Sequence, residues 1–185
     1  MRKLVVFNFT TLNGFYKDIQ EGIHWHQHGE EEGDFSAEML TYNSILLFGR
    51  KTYQMMESFW PTQMAIDTMP EVAAGMNKAE KIVFSKTLKK ADWNNTTIIK
   101  ENIIEEIKKL KLTTGKDLTI LGSGSILTQF AEVGLIDEYQ IMIDPVAIGK
   151  GTPIFSNIKH DLELTLTQTK IFKSGSVLLC YAPKK

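Results

Sequence analysis

Two glycines and two serines follow a short apolar run past the middle of the chain, in the order Gly-Ser-Gly-Ser at 122–125. The run 118–121 is typical of a strand, and the stretch 126–133 is typical of a helix. The first N–H groups of a helix have no partners within it and carry the positive end of its dipole. Glycines let the backbone approach a ligand closely, and serine hydroxyls add donors. The segment therefore predicts a site for a phosphate or pyrophosphate group.

The glycine turn also has a purely structural explanation, because tight connections between a strand and a helix often need glycine for steric reasons. It does not complete the G-x-G-x-x-G fingerprint of dinucleotide-binding proteins. No Gly-Lys-Ser/Thr follows it as in a P-loop. The turn alone leaves both explanations open.

Cationic and hydroxyl side chains follow two further apolar runs. Gly-Arg-Lys-Thr at 49–52 comes after the run 45–48, and Ser-Lys at 85–86 comes after the run 81–84. Cations at a helix start oppose the helix dipole unless an anion neutralises them, although solvated surface charge is the alternative. Ligands of open α/β sheets bind at the carboxyl ends of the strands. Three such ends with anion-binding residues predict one ligand that carries several phosphates.

Composition limits the class of protein. The 185 residues suffice for one domain with a substantial core, and the net charge of -1 without a basic block argues against nucleic acid and anionic membranes. No apolar run approaches the roughly 20 residues of a membrane span, and the apolar stretch 4–9 is too short for a signal peptide. Cys180 is the only cysteine, so neither an intrachain disulfide nor a cysteine zinc cluster can form. We expect a cytoplasmic protein.

The order of apolar and amphipathic segments predicts the fold. Apolar runs predict strands at 4–9, 45–48, 81–84, 96–99, 118–121 and 139–143. Helical patterns cover 35–42, 52–59, 69–76, 103–110 and 126–133, and residues 10–33 read as polar and irregular. Alternating runs at 162–166 and 177–181 predict a terminal hairpin around 173–175. Together they predict a single three-layer α/β/α domain with a mostly parallel sheet and a C-terminal antiparallel hairpin.

Several of these segments resemble the dihydrofolate reductase fold. Segment 49–53 resembles the Gly-Arg-x-Thr-aromatic stretch whose helix start holds the NADPH phosphates in that family. Segment 84–86 is similar to the stretch at the adenosine 2′-phosphate, and segment 122–126 to the glycine-rich turn under the pyrophosphate and nicotinamide. The resemblance implies a dihydrofolate reductase-like fold and NADPH as the cofactor.

The closer resemblance is to the reductase domain of the riboflavin-synthesis deaminase-reductase. Three stretches carry it: Thr-Leu-Asn-Gly at 11–14, Gly-Leu-Ile-Asp-Glu at 134–138, and Pro-Val-Ala-Ile-Gly-Lys-Gly-Thr-Pro-Ile-Phe at 145–155. Asn13 replaces the usual aspartate, and Ser123 stands where many members have glycine. The zinc deaminase signature P-C-x-x-C is absent from the sequence, which has a single cysteine, so the chain resembles a stand-alone reductase domain. Members of this branch usually form homodimers, and the terminal strands would leave an edge to cover.

We expect the cofactor to contact a set of residues drawn from these segments. They are Thr10, Asn13, Gly14, Gly49, Arg50, Lys51, Thr52, Ser85, Lys86, Gly122, Ser123, Gly124, Ser125 and Ile126.

Asp34 is the candidate catalytic carboxylate. Dihydrofolate reductases place a carboxylate on the helix before the strand that leads into Gly-Arg-x-Thr, and Asp34 lies near that position. It could bind an amino-pyrimidine or donate a proton through water. The alternative is that Asp34 caps a helix that begins at Phe35. The acidic run 30–32 is expected to be solvated.

An aromatic and histidine-rich segment precedes this carboxylate. We expect Trp25 and His26 to border the substrate, with Trp25 stacking on a planar ring, and Trp60 to form a further wall. In an extended segment His24, His26 and His28 would share one face, as metal ligands could. We favour a polar loop over the site and expect no metal, because no further zinc motif supports one.

The sequence therefore predicts an NADPH-dependent reductase of a small heterocyclic substrate. By resemblance, the reaction is similar to that of 5-amino-6-(5-phosphoribosylamino)uracil reductase in riboflavin biosynthesis. A dihydrofolate or pterin reductase is the alternative within the same chemistry. A nucleotide-binding sensor that has kept the cofactor site and lost catalysis is the alternative from another class.

Overall fold

The computed structural model describes residues 1–27, 29–41 and 44–184. Its strands are β1 (Leu4–Thr11), β2 (Phe15–Asp18), β3 (Ile45–Gly49), β4 (Lys81–Phe84), β5 (Thr96–Ile99), β6 (Leu118–Leu121), β7 (Glu138–Asp144), β8 (Gly151–Pro153), β9 (Leu164–Ile171) and β10 (Val177–Pro183). Its helices are α1 (Glu30–Thr41), α2 (Arg50–Phe59), α3 (Gln63–Thr68), α4 (Pro70–Lys78), α5 (Ile103–Leu112) and α6 (Gly124–Ala131). None of these helices is long and apolar enough to cross a membrane.

Eight strands form one sheet in the order β5-β4-β3-β6-β1-β7-β10-β9. The first six pair in parallel, and β10 pairs antiparallel with both β7 and β9. Strands β2 and β8 pair separately as a short antiparallel ribbon. The predicted mostly parallel sheet with a terminal antiparallel hairpin is confirmed.

Helices cover both faces of the sheet, as the alternation of side chains along a strand requires. Ile45 and Leu47 of β3 pack into the cluster that contains the buried residues of α5 and α6. Leu46 and Phe48 point the other way and join the cluster with buried residues of α2 and α4. Because both faces of the inner strands are buried, their sequences read as continuous apolar runs.

The segment between β1 and β3 differs from the sequence prediction. Residues 10–33, predicted to be irregular, contain β2 and the start of α1, which begins at Glu30 and not at Phe35. Three glutamates in the first turn of α1 favour the positive end of the helix dipole. The predicted end of this helix, Tyr42, lies outside the described residues. Helix α3 was not predicted; the hydroxyl of Thr62, its N-cap, accepts a hydrogen bond from Ala65 N–H.

Asp137, in one of the segments that resemble the reductase branch, has a structural role. Its Oδ2 accepts hydrogen bonds from the backbone N–H of Leu4 at 2.7 Å and from Lys111 Nζ at 2.6 Å. The carboxylate thereby joins the start of β1, the end of α5 and the residue before β7. This contact explains the aspartate without assigning it any chemistry.

Lys81 at the start of β4 is a buried cation, with only 1% of its surface exposed. Its Nζ donates to the carbonyls of Asn77 and Ala79 at the end of α4, and lies 4.5 Å from the ring centroid of Trp93. Burial lowers the pKa of Lys81 from its ordinary value of 10.5 to about 8. The lysine therefore satisfies the last carbonyls of α4 and costs desolvation energy.

We predict that this cost can be measured as a pH-dependent stability. Between pH 8 and 10.5 the unfolded chain binds the Lys81 proton more tightly than the folded protein, so stability rises with pH in that window and the penalty is fully present below it. Relative to a Lys81→Met variant, the free energy of unfolding should increase by about 1–3 kcal/mol from pH 7 to pH 10. Urea unfolding of both proteins at the two pH values tests this. Parallel pH profiles for the two proteins would contradict it.

Candidate active site

A cleft with a volume of about 1540 Å³ lies at the carboxyl ends of β1, β3, β4 and β6. Residues of α1, α2, α4 and α6 form its walls. All three strand ends that the sequence marked as anion-binding open into this one cleft. The parallel order β4-β3-β6-β1 places these ends next to each other.

The N-termini of α2 and α6 meet in this cleft. The N–H of Gly49, which precedes α2, donates to Ser123 Oγ at 2.8 Å, and Ser123 precedes α6. Neither Gly49 nor Ser123 makes a side-chain cap bond to its own helix. The first N–H groups of both helices therefore lack a side-chain cap and can serve as donors to an anion.

The conformation and close packing of the turn before α6 depend on glycine. Gly122 has a φ of +62° and Ser123 a φ of +56°, both in the left-handed region that favours glycine. A Cβ at position 122 would also lie 3.1 Å from Thr52 Cγ2. Gly124 has no positive φ, but a Cβ there would lie 2.8 Å from the Tyr16 ring. The turn thus packs directly against α2 on one side and Tyr16 on the other.

Five lysine and arginine side chains line the cleft among the described residues. Arg50, Lys51 and Lys86 were predicted, whereas Lys17 and Lys100 were missed. The two lysines Lys17 and Lys51 both contact Glu21 Oε1, at 3.0 and 2.8 Å. Hydrogen bonds from Lys51 and then Lys17 lower the pKa of Glu21. This carboxylate holds the two lysines near each other, and an anionic ligand would compete with it.

Most of the predicted cofactor residues line the cleft. They are Gly49, Arg50, Lys51, Thr52, Ser85, Lys86, Gly122, Ser123, Gly124, Ser125 and Ile126. Ser85 also shapes the turn after β4, because its Oγ accepts from the N–H groups of Thr87 and Leu88.

Thr10, Asn13 and Gly14 do not line the cleft, so the structure does not bring them together with the other predicted cofactor residues. Asn13 Oδ1 accepts from Thr11 Oγ1 at 2.8 Å, and its Nδ2 donates to the carbonyl of Ile148 at 2.8 Å. Gly14 has a φ of +82° in the same turn. Thr10 is buried in β1. The turn ties β1 to the loop after β7, and Asn13 makes these bonds where the family usually has aspartate.

Carboxylates of α1 also line the cleft. Asp34 lines the cleft and is exposed, but it does not cap a helix, because α1 begins four residues earlier at Glu30. Glu32 also lines the cleft, and it is only 3% exposed because its carboxylate accepts a hydrogen bond from Ser174 Oγ. The expectation of a solvated acidic run is therefore wrong for Glu32. The partner on the distant β9–β10 turn gave no signal in the local sequence.

His26 is held at the cleft by a buried carboxylate. Its Nδ1 lies 2.9 and 3.0 Å from the two oxygens of Asp144, which is fully buried and also accepts from Gln27 N–H at 2.9 Å. The His26 ring stacks on Phe9 with centroids 3.7 Å apart. Asp144 was missed by the sequence analysis, although it ends β7 directly before Pro145. The pair fixes the orientation of the imidazole, so His26 is placed to hold or pass a proton.

The two tryptophans that were predicted to border the substrate lie in different surroundings. Trp25 is only 8% exposed and does not line the cleft, so the structure does not place it beside the other predicted substrate residues. Trp60 does line the cleft, where it packs edge-to-face on Phe59 and donates from Nε1 to Met56 Sδ at 3.0 Å. Five methionines line the cleft beside it, at 39, 55, 56, 69 and 76. The cleft walls around Trp60 are therefore largely apolar, and α1 adds carboxylates to the lining.

The imidazoles of His24 and His26 contact different carboxylates. His24 Nδ1 contacts Asp18 Oδ2 at 2.8 Å, whereas His26 contacts Asp144. His28, the third residue of the pattern, lies outside the described residues. Within the described ranges, no group of three or more histidine, cysteine, aspartate or glutamate side chains could hold a metal ion.

Comparisons with known proteins agree with this architecture. The chain is 32% identical over 180 residues to the uncharacterized protein YyaP of Bacillus subtilis (strain 168), covering 97% of this chain and 94% of that protein. It is 27% identical over 173 residues to YwjB of the same organism, covering 92% of each.

Two solved structures share the fold. A candidate riboflavin biosynthesis protein from Shewanella sp. PV-4 superposes with a TM-score of 0.76 at 20% identity, covering 99% of both chains. A diaminohydroxyphosphoribosylaminopyrimidine deaminase/5-amino-6-(5-phosphoribosylamino)uracil reductase from Thermotoga maritima superposes with a TM-score of 0.72 at 14% identity, covering 99% of this chain and 57% of that one.

A family model described as the RibD C-terminal domain matches residues 2–179, which is nearly the whole chain. The resemblance drawn from the motifs at 11–14, 134–138 and 145–155 is thereby confirmed. The chain belongs to the RibD C-terminal domain family.

Proposed function

We propose that this protein is an NADPH-dependent reductase of a small heterocyclic substrate. The observation that carries the proposal is the junction of two helix N-termini, with Arg50, Lys51 and Lys86 around them, in one cleft at the carboxyl ends of parallel strands. A cofactor with a pyrophosphate and a 2′-phosphate needs several anion sites within one cleft. Family membership supports a nicotinamide cofactor in the same place.

The residues present fit such a cofactor. The starts of α2 and α6 and the turn 122–123 would hold the pyrophosphate, with glycine where a side chain would fill the space. Lys86 and Ser85 at the end of β4 would hold the 2′-phosphate. When bound, a reduced nicotinamide supplies a hydride to an electron-poor carbon of the substrate. The protein's own contribution is orientation and a proton, for which His26, held by Asp144, is placed at the cleft.

The substrate half suits a flat ring with hydrogen-bonding edges. Methionines adapt to the faces of such a ring, and Trp60 offers an aromatic wall. The substrate is accordingly proposed to be a heterocycle similar to the pyrimidine named for the Thermotoga relative. A cytoplasmic location belongs to the same proposal, because the single cysteine, Cys180, is buried and unpaired.

Two rival functions have specific support. The carboxylates of Glu32 and Asp34 at the cleft favour an amino-substituted ring, which supports a dihydrofolate or pterin reductase as the second candidate. A cofactor-binding sensor without catalysis is supported by Asn13, which stands in place of the usual aspartate and is used in a turn. Turnover separates the sensor from both reductases.

We predict that the protein oxidises NADPH only when a suitable heterocycle is added. Stopped-flow absorbance of NADPH, with a panel of aminouracil, dihydropterin and carbonyl compounds, measures this. A His26→Gln variant should keep NADPH affinity within about twofold and lose most of its turnover, because the imidazole is proposed to supply the proton. Cofactor binding without turnover of any compound in the panel would favour the sensor.

We predict that NADPH binds more tightly than NADH. Charge-assisted contacts to the 2′-phosphate are worth roughly 1.5–3 kcal/mol each, so the ratio of dissociation constants should exceed about tenfold. Lys86→Ala should remove most of this preference in a fluorescence titration. Lys89→Ala is the matched control, since Lys89 is an exposed cation close in sequence that does not line the cleft. Equal affinities for the two cofactors in the unmodified protein would contradict the prediction.

We also propose a homodimer. Strand β9 is one of the two edges of the main sheet, and Leu166 and Ile171 on it are exposed. An exposed apolar edge strand promotes uncontrolled pairing, and a two-fold contact is the commonest way to cover it. We predict that light scattering will show a dimer at micromolar concentration. A Leu166→Lys, Ile171→Lys double variant should shift the mass toward the monomer, whereas a monomeric unmodified protein would refute the proposal.

A further inference from the structure

Asn8 near the middle of β1 carries a buried amide with an unmet donor. The residue is only 2% exposed, and its Nδ2 has no hydrogen-bond partner. Across residues 1–27, 29–41 and 44–184, it is the one cleft-lining residue with a buried side-chain atom that lacks a partner. Buried polar groups are nearly always paired, because leaving a donor unmet costs stability. An unmet donor at a ligand cleft therefore indicates an acceptor on the ligand.

The position of Asn8 indicates which part of the cleft it serves. Side chains alternate along β1, so Asn8 lies on the same face as Leu4 and Val6, which pack into the cluster that contains α6. Its Oδ1 would lie 4.0 Å from a Cβ on Gly122. Phe7 belongs to the opposite face, where it contacts Phe35 of α1. Asn8 is thus beside the glycine turn, on the cofactor side of the sheet, and away from the carboxylates of α1.

We propose that Asn8 recognises the nicotinamide of the cofactor, by donating from Nδ2 to the oxygen of its carboxamide. The inference rests on the proposed function, since it assumes a nicotinamide cofactor in the cleft. Phosphate oxygens are the most strongly charged acceptors of such a cofactor, but the cations and helix N-termini are available for them. A neutral amide at the floor of the cleft matches a neutral acceptor. This bond would fix which face of the nicotinamide ring is turned toward the substrate.

The proposal makes opposite predictions for binding and for stability. An Asn8→Leu variant replaces the unmet donor with an apolar side chain of similar size, which should raise the melting temperature of the free protein by about 2–4 °C. The same variant should weaken NADPH binding by about tenfold. It should leave the affinity for 2′-phospho-ADP-ribose, which is the cofactor without its nicotinamide, within about twofold of the unmodified protein.

Fluorescence and calorimetric titrations of both ligands, together with thermal unfolding of the free proteins, provide the test. Thr119→Val is the matched control, because Thr119 is buried on the neighbouring strand β6 and does not line the cleft. It should leave both affinities unchanged. Asn8→Ala should show the same selective loss of NADPH affinity, and it serves as the second variant if leucine prevents folding.

Two results would overturn the role of Asn8. One is NADPH affinity unchanged in both Asn8 variants, and the other is an equal loss for NADPH and for 2′-phospho-ADP-ribose, which indicates a distorted cleft. Failure of the proposed function is distinguishable, because it would appear as absent NADPH binding in the unmodified protein.

Discussion

The hydrogen bond from Gly49 N–H to Ser123 Oγ is the contact on which one half of the cleft depends. This half is formed by the starts of α2 and α6 and is the part proposed to hold the cofactor. A serine before a helix ordinarily caps that same helix by accepting from its second or third N–H group. Ser123 instead reaches across to the turn before α2 and makes no side-chain cap to α6. One side chain therefore joins two turns and leaves the start of α6 available for an anion. A glycine at position 123 would have no side chain and could not form this bond.

The order of strands makes this contact possible. Strand β3 pairs with β6, and β6 pairs with β1, all in parallel, so residues that follow or end these strands become neighbours in space. The Gly122 N–H donates to the Phe7 carbonyl at 3.2 Å, which fixes the turn to β1 next to Asn8. Gly122 must also lie close to Thr52 of α2. Close backbone packing on both sides, rather than charge alone, determines where a ligand could lie in this half of the cleft.

The sheet, and the meeting of the segments 49–52, 85–86 and 122–126 in one cleft, could be predicted because their signals are local. Strands β4, β5 and β6 have the predicted bounds, because apolar residues dominate each run, and β4 and β6 lie inside the sheet where both faces are covered. The glycine and cation segments lie at the ends of β3, β4 and β6. The start of α1 and the existence of β2 could not be predicted in this way. Strand β2 is defined by pairing with β8, and Glu31 and Glu32 of α1 bond to Lys173 and Ser174 from far along the chain.

The same difference between local and long-range contacts explains why the surroundings of His26, Glu32 and Trp25 were predicted less well. His26 acquires its orientation from Asp144, and Glu32 can be buried because Ser174 donates to it, so each depends on a residue more than 100 positions away. Trp25, whose type suggested a stacking surface, is instead buried beside His26, with ring centroids 6.5 Å apart. Phosphate binding uses backbone N–H groups and glycines, which a short motif can encode. Recognition of a neutral ring would use side chains from several elements, here the pairs His26–Asp144 and Glu32–Ser174 and the methionines that line the cleft. A change of substrate within the family would therefore be expected to alter these walls while the turns at 49–52 and 122–126 remain as they are.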